Sequence, residues 1–379
     1  MPPAKPSLDL LRSLTDEHVL RAAMAESRLT RAELATRTGI SKPTVSESVR
    51  RLAAVGLLQD TGERTTGRGR IGSYYALSPE VGCALVIDIA PRGIVAEVVD
   101  AHGTVRHRFV ERVRRPARPA RVSEAITAVA RQARAASTAP LRLAVVSAAD
   151  PVERDTGRLV HLPDAPFLIG ELSPAEALAG LVDGPLVVDN DVHWAARAER
   201  HAAEEPLDDF VYLHLGEGLG CATVADGEVR RGHRGIAGEI AHMVTTGPHG
   251  RATGFTEVFE TLGLHRPGST AIDVTAISRA ADPAREQPDV LTAIAEATAG
   301  VLAALVAVAD PQVVLIGGEW GPLPAVLAAV SERFQWSPRP VPVRAARLTV
   351  EPALTGAREH ALAELRSTIV RLSAPAAGG

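Results

Sequence analysis

The chain has 379 residues, 46% apolar, 23% charged and only 3% aromatic. That length exceeds one ordinary core and points to two or three compact units built from Ala, Val and Leu. No run reaches the ~18 uncharged apolar residues of a membrane span, and the N-terminal MPPAKPSLDLLRSL lacks the apolar centre of a signal peptide. The two cysteines, Cys83 and Cys221, lie far apart with no CxxC, which fits a reducing cytoplasm. The net charge of −4 disfavours nucleic acid at first sight. Its distribution reverses that reading. Residues 1–79 carry 12 Lys+Arg and 8 Asp+Glu, a net of +4, whereas the rest carries 29 against 37, a net of −8. A basic front on an acidic body suits one nucleic-acid module joined to a domain that avoids it.

Residues 1–12 read as a flexible tail and 13–79 as a winged helix-turn-helix. A first helix is expected over Thr15–Ala25, with Asp16 and Glu17 where the helix dipole favours anions. A second opens on Thr30-Arg31-Ala32-Glu33, a capping box, and stops near Gly39. A third is capped by Ser41 and runs to Gly56, with Val45, Val49, Leu52 and Ala53 on one face. Arg37-Thr38-Gly39-Ile40 is the short turn between them. The other face of the third helix shows Lys42, Thr44, Ser46, Glu47, Arg50 and Arg51. Ser41, Lys42, Thr44, Ser46 and Arg50 are candidates for base-edge and phosphate contacts in a major groove. Two strands around TGERTTGRGR make a wing whose Arg64, Arg68 and Arg70 are placed to touch phosphates or enter a minor groove. A solvated, charged protein-interaction face is the competing reading. The caps, turn and basic wing in order favour double-stranded DNA.

From Gly82 the texture becomes α/β. Strands are expected at Ala84–Asp88, Gly93–Asp100 and Leu141–Val146, with a helix over Val122–Ala136. Leu186-Val187-Val188 leads through Asn190-Asp191 into a helix to Arg200, followed by a hairpin from Phe210–Leu215 through a glycine loop to Cys221–Ala225, with Asp226-Gly227 as a tight turn after it. Ala297–Ala309 reads as a buried Ala-rich helix.

LVVDNDVHWAARAE (186–199), LGEGLGCATVADGEVRRGHRGIAGEIAH (215–242) and VVLIGGEWG (313–321) resemble the ROK family of sugar kinases and repressors. The resemblance implies a two-lobed, actin-like ATPase fold, here α/β, behind the winged helix. It divides the body into a smaller lobe, 80–190 with 356–376, and a larger lobe, 191–355, that carries the ligand cleft and the oligomer contacts. It implies that Asp191, beside Asn190, is the sugar-facing general base of a kinase, a role a carboxylate at a cleft mouth can fill. Taken alone, Asn-Asp before a helix is equally an N-cap. It further implies sugar contacts at Glu239 and His242, with Ala241 replacing the family's Gly, and at Glu257. Carboxylates and imidazole suit a polyol.

The chain departs from the family at its phosphate loops. DxGGT becomes Asp88-Ile89-Ala90-Pro91-Arg92, which keeps Asp88 but loses both glycines. GTGxG becomes Gly216-Glu217-Gly218-Leu219-Gly220, which puts a carboxylate where phosphates would lie. Like charges at ~4 Å repel by roughly 1–4 kcal/mol unless a cation intervenes. Gly317 and Gly318 match the adenosine side. These positions are expected to be vestigial, and ATP is not expected as a ligand. The family's Cys-rich zinc motif aligns with Gly247–Glu257, which contains no cysteine, so no metal is expected. The sugar loop's PG becomes Ser147-Ala148-Ala149-Asp150-Pro151. The resulting expectation is a repressor-type regulator, a homodimer or homotetramer, without a catalytic residue. Its body either senses a sugar-like effector or only dimerises. The alternative is an active sugar kinase using Asp191.

Overall fold

The computed structural model describes residues 8–66, 71–115, 117–162, 165–168, 170–282 and 288–373. Helix α1 spans Leu8–Ala25, so residues 8–12, expected in the tail, are already helical. Thr15, read as the helix start, turns its hydroxyl back to the Leu11 carbonyl at 2.8 Å instead. Strand β1 (Leu29–Thr30) leads into α2 (Arg31–Thr38), where the Thr30–Glu33 capping box forms and Gly39 at φ 69° ends the helix. Helix α3 (Lys42–Ala54) is capped by Ser41. Its Val45, Val49 and Leu52 are buried in one core with Val19, Leu20 and Met24 of α1. The wing is β2 (Leu58–Arg64) paired antiparallel with β3 (Ser73–Leu77), and β1 adds a third strand on the other side of β3. Arg51, counted on sequence as part of the exposed face, points inward. It donates twice to the carboxylate of Asp16, which also accepts from Ser48 and so ties α3 to α1. A paired buried carboxylate answers the desolvation that an isolated one would suffer.

The smaller lobe begins with β4 (Cys83–Ala90), β5 (Gly93–Asp100) and β6 (Val105–Glu111). Helix α4 (Pro119–Ala136) follows, starting three residues earlier than expected because Pro119 suits a first helical turn. Then come β7 (Leu141–Ala148), the short α5 (Pro174–Ala177) and β8 (Leu186–Asn190). The sheet order is β6-β5-β4-β7-β8, antiparallel on the β6 side of β4 and parallel on the β8 side. Every residue of β4 is buried, as expected for a strand covered on both faces.

Helix α6 (Asp191–Ala202) carries the chain into the larger lobe. That lobe holds β9 (Phe210–Leu215), β10 (Leu219–Ala225), β11 (Glu228–Val229) and a small β12 (Val244–Thr246)/β13 (Ala252–Gly254) hairpin. Helices α7 (Phe255–Thr261), α8 (Val274–Ala280) and α9 (Pro288–Ala309), strand β14 (Val313–Gly317), α10 (Pro324–Phe334) and β15 (Val343–Ala345) complete it. Its sheet, β11-β10-β9-β14-β15, repeats the smaller lobe's pattern of a hairpin on one side and parallel strands on the other. Helix α9 is buried through Ile294, Ala297, Val301 and Leu302, but its last turn exposes Val308. Among the described residues it is the one helix long and apolar enough in composition to span a membrane, and here it packs inside a lobe.

The final helix, α11 (Pro352–Ser373), returns to the smaller lobe, four residues before the expected boundary. It lies on β4 and β7 on one side and meets α1 and α6. Contact with α6 is close. A Cβ on Gly356 would stand 2.0 Å from the Trp194 carbonyl oxygen. Trp194, fully buried, donates to the Val146 carbonyl and lies beside the His360 ring. One apolar core therefore runs from Val19 and Leu20 of α1 to Leu354, Ala361 and Ile369 of α11. Gly356→Ala is expected to pry α11 from α6 and destabilise the protein by about 1–3 kcal/mol, read as a lower unfolding midpoint in urea or heat.

Candidate functional site

Two surfaces hold the residues singled out by sequence. The first is the winged helix. Lys42, Thr44 and Arg50 are exposed on α3, and Ser46 is half-buried on the same helix. The Ser41 oxygen accepts from the Thr44 backbone N–H at 3.4 Å and lies 2.8 Å from the Thr44 hydroxyl, so both hydroxyls already shape the helix start. Arg50 pairs with Glu47 across one turn, and Arg64 with Asp60 at 3.0 Å. Both arginines are half or more exposed, and such pairs exchange readily for phosphate. Arg28 and Arg31, not singled out on sequence, lie over the rings of Tyr74 and Tyr75 at 4.9 Å and widen the basic surface beside the wing. Arg68 and Arg70 lie outside the described residues.

The second surface is a cleft of about 330 Å³ between the lobes. Asp88 reaches it from β4, Asp150 from the loop after β7, and Asn190 and Asp191 from the β8–α6 junction. Glu239 and His242 enter from the loop before β12. Glu257 is not among its lining residues. It caps α7, accepting from the Gly254 N–H and the Thr253 hydroxyl, and those bonds hold its carboxyl below the usual range. The expected ligand role for Glu257 therefore has no geometric support. The side chain is spent on the helix start.

Asn190 is committed as well. Its oxygen accepts from the Val192 N–H, capping α6, and its amide donates to the carbonyls of Ala148 and Asp150 at 3.3 Å. It thereby pins the β7 loop to the helix that presents Asp191. Burial pushes the Asp191 carboxyl up to about 7, opposed by His214 and helped by Asp88 and Asp150. Glu239 opens onto the cleft, yet the surrounding protein and the neighbouring Asp150 push it up to about 7 too. Asp150, which sequence reading noted only as part of a replaced loop, is 2% exposed, and its Oδ2 has no partner. Its burial, against one backbone bond from Leu168, also raises it to about 7.

Sequence reading missed Asp189. It would be raised by burial, but the His193 hydrogen bond and the charges of His193, Arg197 and Arg231 bring it down to about 2. His193 Nδ1 lies 2.8 Å from it, and its Nε2 lies 3.4 Å from the Ala237 carbonyl. The network joins β8 to the loop that bears Glu239. The acid before Asn190 was visible in VVDND, but its partners are 4, 8 and 42 residues away.

The phosphate loops are filled by the chain itself. Arg92 donates to Asp88 at 2.8 Å, and Asp88 also accepts from Ser147. Burial still pushes Asp88 above the usual carboxylate range. Glu217 meets the guanidinium of Arg115 at 2.6 Å from the opposite lobe and that of Arg266 at 2.5 Å from its own. The repulsion expected from an unpaired Glu217 is thus corrected: two cations neutralise it, and the pair spans the cleft. Gly218, Gly220, Gly317 and Gly318 line the cleft, Gly220 also lying against Val192, and Gly216 sits behind them against Glu319 and His214. Gly318 at φ 88° and Gly317 against the Tyr212 hydroxyl are required by backbone packing without reference to a nucleotide.

The residues at the family's zinc position do not fit that metal. Cys83 and Cys221 are buried elsewhere, and the β12–β13 hairpin is held by backbone pairing, by Thr245 donating to the Ala297 carbonyl and by buried Phe255.

A model of the ROK family matches residues 84–358, and a winged helix-turn-helix DNA-binding model matches residues 12–59. An N-acetylmannosamine kinase of Salmonella typhimurium is 30% identical over 234 residues, 59% of this chain and 76% of that protein. Among solved structures, a ROK family transcriptional regulator, a homolog of the E. coli Mlc protein, superposes with a TM-score of 0.64 at 16% identity, covering 96% of this chain and 99% of that one. A ROK hexokinase from Thermus thermophilus does so with a TM-score of 0.55 at 26% identity, over 75% and 99%.

The raised carboxyls set a pH dependence. A buried acid raised to about 7 contributes stability that is complete below the ordinary carboxylate range and is lost as pH climbs through 7. Asp189, lowered to about 2, acts oppositely but only in strong acid, and His360, whose burial disfavours its charged form, offsets part of the gain below the ordinary histidine range. Acidifying the ligand-free protein from about pH 8 to about pH 5.5 is therefore expected to raise its melting temperature, and Asp150→Asn to flatten that rise in a differential scanning fluorimetry series.

Proposed function

The chain belongs to the ROK family, and from that premise we propose that it is a cytoplasmic transcriptional repressor whose cleft binds a sugar or sugar derivative and whose output is operator affinity. The observation that carries this reading is the shared core. Asp191 opens α6, α6 packs against α11, and α11 packs against α1 of the winged helix, which the Asp16–Arg51 pair ties to α3. A ligand that prefers one arrangement of the lobes changes how α6 and α11 lie, and the same rigid contacts pass that preference to α3. The similarity of the whole chain to a ROK transcriptional regulator supports the reading.

Lys42, Thr44, Ser46, Arg50 and Arg64, with Arg68 and Arg70, are the proposed operator contacts. Asp191, Glu239 and His242 are the proposed effector contacts. A pair of winged helices in a homodimer or homotetramer would read a two-fold operator. Asp88–Arg92 and Arg115–Glu217 set the chain's own ions on the phosphate side, which disfavours a nucleotide polyanion there.

A second reading, an active sugar kinase with Asp191 as base, is favoured by the position of Asp191 at the helix start and by the kinase relative. A thermal-shift screen of sugars with and without ATP, followed by product analysis, separates the two. A sugar shift independent of ATP, with no phosphorylated product, is the outcome expected for the repressor. ATP-dependent product abolished by Asp191→Asn would establish the kinase. For DNA, binding is expected to weaken steeply with salt. Arg64→Ala should lower affinity for all sequences and reduce the salt slope by about 1, whereas Thr44→Ala should blur base preference. Unchanged operator affinity after removal of residues 1–79 would overturn the regulator reading.

A further inference from the structure

The cleft contains a carboxyl that the protein answers only in part, through one backbone bond from Leu168. Asp150 is 2% exposed, lines the cavity, and leaves its Oδ2 without a partner. A buried polar atom is almost always hydrogen-bonded, so an orphan on a residue that lines a cavity points to a ligand atom as the missing partner. Its loop does not swing to find a partner. Asn190 holds the carbonyls of Ala148 and Asp150, and the Ala149 N–H donates to the Ile89 carbonyl.

Among the described residues no ion pair reaches it, and the cations nearby are engaged elsewhere. Arg92 is engaged by Asp88, and Arg115 by Glu217. His214 has its nearest carboxylate, Glu319, at 3.8 Å, and His242 stands beside Glu257. The groups that act on Asp150 through the cleft are Asp191 and Glu239, both acids, and among the described residues none of these three forms an ion pair. Nor do any three His, Cys, Asp or Glu side chains among the described residues stand together as a metal site would require. The unanswered carboxyls are spread across a cavity of small-molecule size instead of converging on a point.

A neutral polyol would satisfy such oxygens with hydroxyls but leave their charge uncancelled. An ammonium does both, with three donors and a full positive charge. We propose that the cleft selects a ligand with a free, protonated amine, an unacetylated amino sugar, whose ammonium is held by Asp150 while its hydroxyls meet Asp191 and Glu239. The inference rests on the sugar-effector reading above and narrows it to a cationic class.

The test is titration calorimetry on the full chain at neutral pH, in two buffers of different ionisation heat. The probes are matched sets of gluco, manno and galacto configuration: the amino sugar, its N-acetyl derivative and the plain hexose. The amino sugar of at least one configuration is expected to bind at least about tenfold tighter than its neutral partners. Its binding should also release protons to the buffer, because a cation draws the carboxyls into their ionised form. Asp150→Asn, which keeps the shape of the side chain, is expected to remove most of that preference and of the proton release. Equal or tighter binding of the neutral sugars, or a preference that survives Asp150→Asn, would overturn the inference while leaving a sugar effector in place. No binding by any member of the sets would remove the sugar-effector reading itself, and this inference with it. The proton release of the unmodified protein stands as a readout even if the variant folds poorly.

Discussion

One helix is shared by two sheets, and the rest of the molecule is arranged around that constraint. On one face of α6, Trp194 enters the core of the smaller lobe and α11. On the other, Val192, Ala195 and Ala196 pack on Phe210 and Tyr212 of the larger lobe's sheet. A helix buried on opposite sides is built mostly of small apolar residues, and the polar ones it buries are paired, His193 with Asp189 and Glu199 with backbone N–H groups. It also fixes where the chain changes lobe, and so places Asp191 at the mouth of the cleft. Glu199, near the other end of α6, accepts the backbone N–H groups of Arg347 and Leu348 and anchors the segment that forms the far rim.

Charge is managed by pairing wherever it can be. Asp88 has Arg92, Glu217 has two arginines, and Asp189 has a histidine with Arg197 and Arg231 close by. Where the family's phosphate loops resemble open glycine turns, this chain has built internal ion pairs. Such pairs give little net stability when half-exposed, but they occupy space and hydrogen-bonding capacity that an incoming polyanion would need. The carboxyls left without a counter-ion, Asp150, Asp191 and Glu239, lie on the other side of the same cleft.

Much of this was legible in the residues. The caps at Thr30 and Ser41, the Gly39 turn and the apolar stripe of α3 are local signals, and local signals fix helices. The strand runs around Asp88, Leu141 and Val188 were equally plain. What could not be read were long-range pairings. Arg51 faces the exposed side of a helical wheel but turns in to Asp16, 35 residues away. Arg115 sits in a basic stretch with nothing to distinguish it from its neighbours, yet it alone among them meets Glu217, 102 residues on. Glu257 matched a family position, but its carboxylate caps α7, a bond made with the two residues of the turn before it. Asp150 was visible only as a loss of the family's PG, because the cost of an unpaired oxygen depends on burial that a sequence does not print.

The joint between α1 and α11 has a geometric consequence. A recognition domain hung on a tether can sample many separations from its twin and tolerates operators of variable length. Here the side chains of α1 are part of the body's interior, and the Met24 carbonyl lies 3.1 Å from the His102 ring of the smaller lobe. The winged helix is thereby cantilevered from the lobe as a fixed arm. In an assembly of such arms, the distance between the two reading heads is a property of the protein's frame. Were two such arms paired, a small change in the angle between lobes would become a change in the distance between them.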